Sequence, residues 1–103
     1  MTRTPGIAGY VTQFQVLIKV SETGNLTRAA RELGLTPSAV SKSLSALEDK
    51  IGCAVLNRDS RPFQLTSAGR RLLHQAHRLM GEIEVVVENA RQADLQGSCL
   101  RIT

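Results

Sequence analysis

Apolar residues recur at helical spacing along most of this chain, and the first such stretch runs from about Ala8 to Glu22. Thr23 and Gly24 follow it and are expected to end the helix. Its predicted inner face consists of Val11, Phe14, Leu17, Ile18 and Ser21.

Two further helical patterns, Asn25–Leu33 and Thr36–Ile51, meet at a very short connection. Gly34 can adopt the left-handed conformation that commonly closes a helix. Ala30 lets the two backbones approach closely, and Leu35 is expected to turn inward. This pattern predicts a helix-turn-helix, in which the first helix supports the second and the second enters the major groove of DNA.

The second of these helices has an apolar side and a small polar side. Thr36 is a candidate N-cap and Pro37 suits the first helical position. The predicted buried stripe comprises Val40, Leu44, Leu47 and Ile51, and the outward set comprises Ser38, Ser41, Lys42 and Ser45. Hydroxyl groups and a cation are suited to phosphates and base edges. The alternative is a solvated amphipathic helix ended by glycine, but the combined offsets favour the helix-turn-helix.

The periodicity then changes to that of short strands, at Ala54–Asn57 and Phe63–Leu65. The polar loop between them predicts a hairpin, so the three helices and the hairpin form a winged helix-turn-helix. Arg58 and Arg61 lie in this loop, where guanidinium groups can contact phosphates or a minor groove. The alternative for Arg58 is an ion pair with Asp59 or with a neighbouring helix.

Two arginines on the supporting helix are ambiguous. Arg28 and Arg31 can contact backbone phosphates or simply solvate the face opposite the small buried residues.

A long helix is predicted after the hairpin, with Thr66 as its cap and its end at about Asp94, before Gly97. At 1.5 Å per residue it is roughly 40 Å long, which exceeds what so small a domain can cover. Its heptad-like stripe comprises Leu72, Ala76, Leu79, Ile83, Val86, Ala90 and Ala93, with Leu73, Met80 and Val87 beside it. A stripe of this length favours a homodimer over a helix that lies on its own domain. The dimer would present two recognition helices to an inverted repeat.

The 103 residues carry a net charge of +4, and the charge is unevenly distributed. Residues 1–71 contain ten Lys or Arg and five Asp or Glu, whereas residues 72–103 contain three and four. The basic half therefore coincides with the helix-turn-helix and favours a polyanionic partner. Aromatic residues make up only 3% of the chain, which argues against stacking platforms for RNA or single strands.

The remaining chemistry is sparse. No apolar run is long enough to span a membrane and no signal-peptide core is present, so a soluble, cytoplasmic protein is expected. Cys53 and Cys99 are expected to be free thiols. His74 and His77 could hold a metal between dimer partners, but a solvated pair is the simpler interpretation. We expect no enzyme, no catalytic or metal site and no cofactor.

The segments AARELGLTPSAVSKSLSALE and LTSAG carry a family resemblance. The chain resembles the N-terminal domain of LysR-type transcriptional regulators from the first helix to Gly97. The resemblance implies a dimerising linker helix and binding to an interrupted inverted repeat in promoter DNA. It also implies that residues 96–103 begin an effector-binding domain absent from this sequence. A small-molecule effector and any higher oligomer would depend on that domain.

The resemblance places Thr36, Pro37, Ser38, Ser41 and Lys42 toward the groove, and Arg58 and Arg61 on the wing. Many relatives have Gln followed by Pro where this chain has Pro37 and Ser38, so a base preference cannot be transferred there. We expect Lys42 to contact a phosphate or a guanine edge and Pro37 to touch a thymine methyl group.

The predicted fold is mainly α: a winged helix-turn-helix over residues 1–66, a dimerisation helix over 67–95, and the start of a further domain at 96–103. The predicted function is sequence-specific binding of double-stranded DNA by a transcriptional regulator. The competing hypothesis is an interaction module, in which the long helix is the functional part and the winged domain binds protein.

Overall fold

The structure is a computed structural model that describes residues 6–60 and 63–95. Its elements are α1 (Ile7–Thr23), α2 (Leu26–Leu33), α3 (Pro37–Ile51), β1 (Leu56–Asn57), β2 (Gln64–Leu65) and α4 (Ser67–Leu95). This order confirms the predicted three helices, two-stranded wing and long final helix. The strands are shorter than predicted. The expectations for Arg61, Cys99 and residues 96–103 lie outside the described residues.

The turn between α2 and α3 is fixed by caps at both of its ends. Gly34 has φ +72°, and the Leu35 amide donates to the Ala30 carbonyl at 2.8 Å. The Thr36 hydroxyl accepts a hydrogen bond from the Ala39 amide at 3.0 Å. These contacts satisfy groups that a helix terminus leaves unpaired, so the sequence signals act as predicted.

The core lies where α1, α2 and α3 meet, with α4 packed against α1. Its largest fully buried side chains include Leu17, Leu44, Leu47, Val16, Val20, Val40 and Val55. Ala29 and Ala30, also buried, let α2 approach its neighbours closely.

The predicted inner face of α1 was partly wrong. Only Leu17 of that set is buried, while Val11, Phe14, Ile18 and Ser21 are half-buried. Val16 and Val20 were missed. Because α1 packs against α2, α3 and α4, its covered surface is wider than a single stripe, and its centre lies at Val16, Leu17 and Val20.

Two other burial predictions were also wrong. Leu35 is 42% exposed because it lies in the connection between Gly34 and the Thr36 cap, at the surface of the turn. Ile51 is 37% exposed, and it is the last residue of α3, beyond which the chain turns at Gly52.

The wing is a small antiparallel hairpin in which Leu56 pairs with Leu65 and Asn57 with Gln64. Thr66 follows it and caps α4 as predicted, since its hydroxyl accepts from the Gly69 amide at 3.0 Å. The same hydroxyl donates to the Ala54 carbonyl at 2.7 Å. The start of α4 is therefore attached to the segment that enters the wing.

The 29 residues of α4 divide into a covered part and an exposed part. Leu72 and Leu73 pack against the core, and Ala76 is 1% exposed. Beyond this point most of the large apolar side chains are open: Leu79, Ile83, Val85, Val86 and Val87 are 38–66% exposed, whereas Met80 is half-buried. The expectation that Ala76 faces a partner is therefore corrected, because the protomer itself buries this residue.

Within the described ranges, none of the helices combines the length and the apolar character needed to cross a membrane.

Candidate nucleic-acid interface

The first turns of α3 present a polar surface. Thr36, Pro37, Ser38, Lys42 and Ser45 are exposed, and Ser41 is half-buried. All six lie away from the buried stripe of Val40, Leu44 and Leu47, which anchors α3 to the rest of the domain. The outward placement predicted for Ser38, Ser41, Lys42 and Ser45 thus agrees with the geometry, with Ser41 closest to neighbouring elements.

Ser41 is half-buried because it lines a cleft of about 450 Å³ between α2, α3 and the wing. Asn25 and Thr27 line it from the start of α2, and Arg58 and Phe63 from the wing. Polar groups from three separate elements therefore line one cleft. Thr27 was not among the residues predicted from the sequence, and Asn25 was predicted only to start a helix.

Asn25 has a defined local role as the N-cap of α2. Its Oδ1 accepts a hydrogen bond from the Arg28 amide at 2.9 Å. The first amides of an α-helix carry a partial positive charge, so the start of α2 favours an anion beside the cleft.

Arg58 does pair with a neighbouring helix, which was one of the alternatives for this residue. Its Nη1 lies 3.0 Å from Oε1 of Glu48 on α3. The Arg58 side chain is nevertheless 42% exposed. The arginine is thus both tied to α3 and open toward solvent at the edge of the cleft.

Glu48 was missed by the sequence analysis. Its Oε2 accepts from the Val55 amide at 2.7 Å and from the Leu56 amide at 3.3 Å. Burial raises the pKa of this carboxyl, but the hydrogen bonds from Val55, Arg58 and Leu56 and the charge of Arg58 outweigh that effect and hold the pKa below its usual value. No local sequence signal reveals this role, because the donors come from residues seven to ten positions later.

The other charged candidates are more open. Arg28 is 65% exposed, and its Nε lies 3.8 Å from Glu32. Arg31 is exposed as well. Pairs of this kind at the surface contribute little to stability, so they leave Arg28 able to exchange partners.

The described part of the chain contains no group of three or more His, Cys, Asp or Glu side chains suited to a metal. His74 and His77 are exposed on α4, and Cys53 is an exposed free thiol. These residues lie apart from the polar surface of α3.

The family described as "Bacterial regulatory helix-turn-helix protein, lysR family" matches residues 11–70, which is more than half of the chain. The chain belongs to the LysR family. The matched region spans most of α1, the helix-turn-helix, the wing and the first residues of α4, so the resemblance seen in the sequence is confirmed.

Two curated relatives illustrate the similarity within the LysR family. The probable HTH-type transcriptional regulator SinR of Salmonella typhimurium is 43% identical over 81 residues, covering 79% of this chain and 26% of the relative. The probable cat1 operon transcriptional activator of Acinetobacter lwoffii is 38% identical over 91 residues, covering 87% and 30%. The chain thus spans a third or less of the length of these LysR-family relatives.

Solved LysR-family structures share the fold. VV2_1132, a LysR family transcriptional regulator, has a TM-score of 0.76 and 32% identity, over 82% of this chain and 29% of that chain. The structure of the CbnR_DBD-DNA complex has a TM-score of 0.75 and 30% identity, over 82% of this chain and 97% of that chain. The second match shows this fold in a chain of similar length bound to DNA.

Proposed function

We propose that this chain is the DNA-binding part of a LysR-family transcriptional regulator and binds double-stranded DNA in a sequence-specific manner. The observation that carries the proposal is the exposed polar surface on the first turns of α3, beside the cleft shared with α2 and the wing. The excess of basic residues in this half of the chain and the CbnR_DBD-DNA complex as a structural neighbour support it.

In the proposed complex, the N-terminal turns of α3 enter the major groove. Lys42 contacts a guanine edge or a phosphate, because it is exposed and is the first cation along α3. Ser38, Ser41 and Ser45 supply short polar contacts, and Pro37 packs against a thymine methyl group. The Thr36 hydroxyl accepts from Ala39, and its proton can be donated to a phosphate.

Backbone contacts surround the groove. Arg28, which is exposed, and the cleft residues Asn25 and Thr27 would contact phosphates on one side of α3. Arg58, which is 42% exposed, would contact phosphates on the wing side. From its position in the sequence, we propose the same role for Arg61.

The exposed face of α4 supports a homodimer. Leu79, Ile83 and Val86 are 38%, 40% and 66% exposed, and this much open apolar surface on one helix favours a second copy. Ala90 extends the proposed contact toward the end of α4, whereas Leu72, also predicted for the dimer, packs against the core of its own protomer. A dimer would direct two copies of α3 to an interrupted inverted repeat in a promoter.

The domain division follows from these roles. We propose DNA binding by residues 1–66, dimerisation by 67–95, and an effector-binding domain that begins at 96–103. A small-molecule effector and any higher oligomer would act through that domain. Since promoter DNA of bacteria lies in the cytoplasm, we also propose that location.

The test is selection from random duplex DNA by the purified chain at physiological salt. Enrichment of an interrupted inverted repeat is expected. The Lys42→Ala variant should lose or blur that site, whereas Lys50→Ala, which removes the same charge at the far end of α3, should retain it. A chain that dimerises but binds no duplex would contradict DNA binding and favour the interaction-module hypothesis.

A further inference from the structure

The side chain of Glu48 connects α3 to the wing through three hydrogen bonds. One oxygen accepts from the Val55 and Leu56 amides at 2.7 and 3.3 Å, and the other lies 3.0 Å from Nη1 of Arg58. Only 13% of the Glu48 side chain is exposed. A carboxylate that is so well covered keeps its charge through these donors, and each of them belongs to the wing or its entry.

The wing needs such an anchor because it is small. Each strand has two residues, and a two-stranded hairpin is at best marginally stable on its own. Its orientation must therefore come from what holds it. Glu48 holds the amides of Val55 and Leu56, while Thr66 donates its amide to the Val55 carbonyl at 3.0 Å. The entry to the wing is thus held between α3 and the start of α4.

Glu48 also lies on the side of α3 that carries part of the polar surface. It follows Ser41 by seven residues and Ser45 by three, and these spacings place the three residues on one helical face. The Glu48 carboxylate therefore links the wing to the side of α3 that carries Ser41 and Ser45. Arg58, which it holds, lines the same cleft as Ser41.

We propose that Glu48 is a positioning residue for DNA recognition, which holds Arg58 and the wing in register with α3 so that both engage one stretch of duplex. This inference rests on the proposed function and assigns Glu48 no contact with DNA itself. Arg58 would meet the DNA backbone with its exposed face while Glu48 holds its Nη1 group.

Glu48→Gln isolates the link to Arg58. The glutamine oxygen can still accept from the Val55 amide, whereas its NH₂ group cannot accept from Arg58. Arg58→Gln cuts the same link from the other side and leaves the carboxylate on the backbone amides. Asp49→Asn is the matched control, because it removes one negative charge from the adjacent, exposed position of α3.

The experiment measures the affinity of each variant, and of the double variant, for the duplex selected by the wild-type chain and for an unrelated duplex. Hydroxyl-radical footprints of each complex report which deoxyribose positions of the DNA backbone are protected. Thermal unfolding of each variant shows that it is folded. If Glu48→Gln does not fold, Glu48→Asp takes its place, because the shorter side chain keeps the charge but cannot reach both the backbone amides and Arg58.

We expect Glu48→Gln to weaken binding to the selected duplex about tenfold without weakening binding to the unrelated duplex, since the change removes a negative charge near DNA. Protection beside the wing should fall while protection beside α3 persists. The double variant should lose no more affinity than Arg58→Gln alone, because Glu48 acts through Arg58. Asp49→Asn should retain the wild-type preference.

Equal changes on both duplexes, or losses that add in the double variant, would overturn the positioning role while DNA binding stands. If the wild-type chain enriches no duplex at all, the proposed function fails and this inference fails with it. The two failures are distinguishable, since one is seen in the wild type and the other only in the variants.

Discussion

Lys42 on α3 and Gly69 on α4 have different kinds of role. The first depends on a bound partner, and the second depends only on packing within the chain. Lys42 is exposed near the start of α3, and its role depends on the DNA it meets. Gly69 is buried at the start of α4, where a Cβ would overlap the Val55 carbonyl. A role in recognition and a role in packing can thus be tested separately.

Replacing Lys42 with alanine should weaken DNA binding by about 1 to 3 kcal/mol if the lysine reads a base, with relaxed specificity at one position. If it contacts a phosphate, the loss should be similar on all sequences and the salt dependence should become shallower. Titrations of the selected duplex and its single-base variants at several salt concentrations distinguish these cases. An unchanged affinity would remove Lys42 from the interface.

Gly69→Ala should destabilise the domain by about 1 to 3 kcal/mol, because backbone atoms of residue 55 must shift to accept the methyl group. Gly81→Ala is the control within the same helix, since a Cβ there meets nothing within 4 Å. That change should stabilise the helix by about 0.5 to 1 kcal/mol. Denaturant unfolding compares the two, and equal effects would contradict the close packing at Gly69.

At the scale of elements, α3 is held by its core stripe and the wing by its contacts with neighbouring helices. Val40, Leu44 and Leu47 fix α3 from one side. The wing depends on Glu48 and on the start of α4, because its own strands are only two residues long. The stability of the wing should therefore fall when Glu48 loses its negative charge.

Because the pKa of Glu48 is held below its usual value, its contribution to stability is complete above about pH 4.3, the ordinary glutamate value. It is lost as the pH falls through the lower, folded value. The stability of the wild-type chain should thus decline more steeply in acid than that of Glu48→Gln. Unfolding curves between neutral pH and pH 3 measure this, with Asp49→Asn expected to follow the wild type. Parallel curves for all three would argue against the contact.

The described part of the chain measures 54 × 38 × 25 Å, and its elongation reflects how far α4 extends beyond the core. The basic residues are concentrated in the winged half, whereas residues 72–103 carry a slight negative excess. Among the described residues, most of the exposed large apolar side chains (Leu79, Ile83, Val85, Val86 and Val87) lie on α4 rather than on the polar surface of α3. The proposed dimer contact and the proposed DNA contact can therefore be perturbed by separate substitutions.

Ile83→Glu should convert the proposed dimer to a monomer, because it places a charge within the exposed apolar stripe. The winged domain should stay folded and bind one half of the repeat weakly. His74→Glu adds the same charge half a helical turn from the stripe and should leave the dimer intact. Sedimentation equilibrium tests both, and a monomeric wild-type chain would contradict dimerisation by α4.

Much of the local structure was predictable because its signals lie within a few residues of the elements they define. Asn25, Thr36 and Thr66 act as caps, and Gly34 closes α2 with a positive φ. The change of period after α3 marked the wing. These features depend on adjacent backbone groups, so a local pattern suffices to predict them.

Tertiary structure decided which of several equally apolar residues are buried and which of the charged residues pair. Helical periodicity did not show that α1 centres on Val16 and Val20, or that the protomer buries Ala76. Nor did it reveal the contact of Glu48 with Arg58. The sequence by itself determined the elements, their order and the polar side of α3, since these follow from neighbouring residues. Tertiary structure alone decided which side chains meet, because packing and ion pairs join residues from different elements in space.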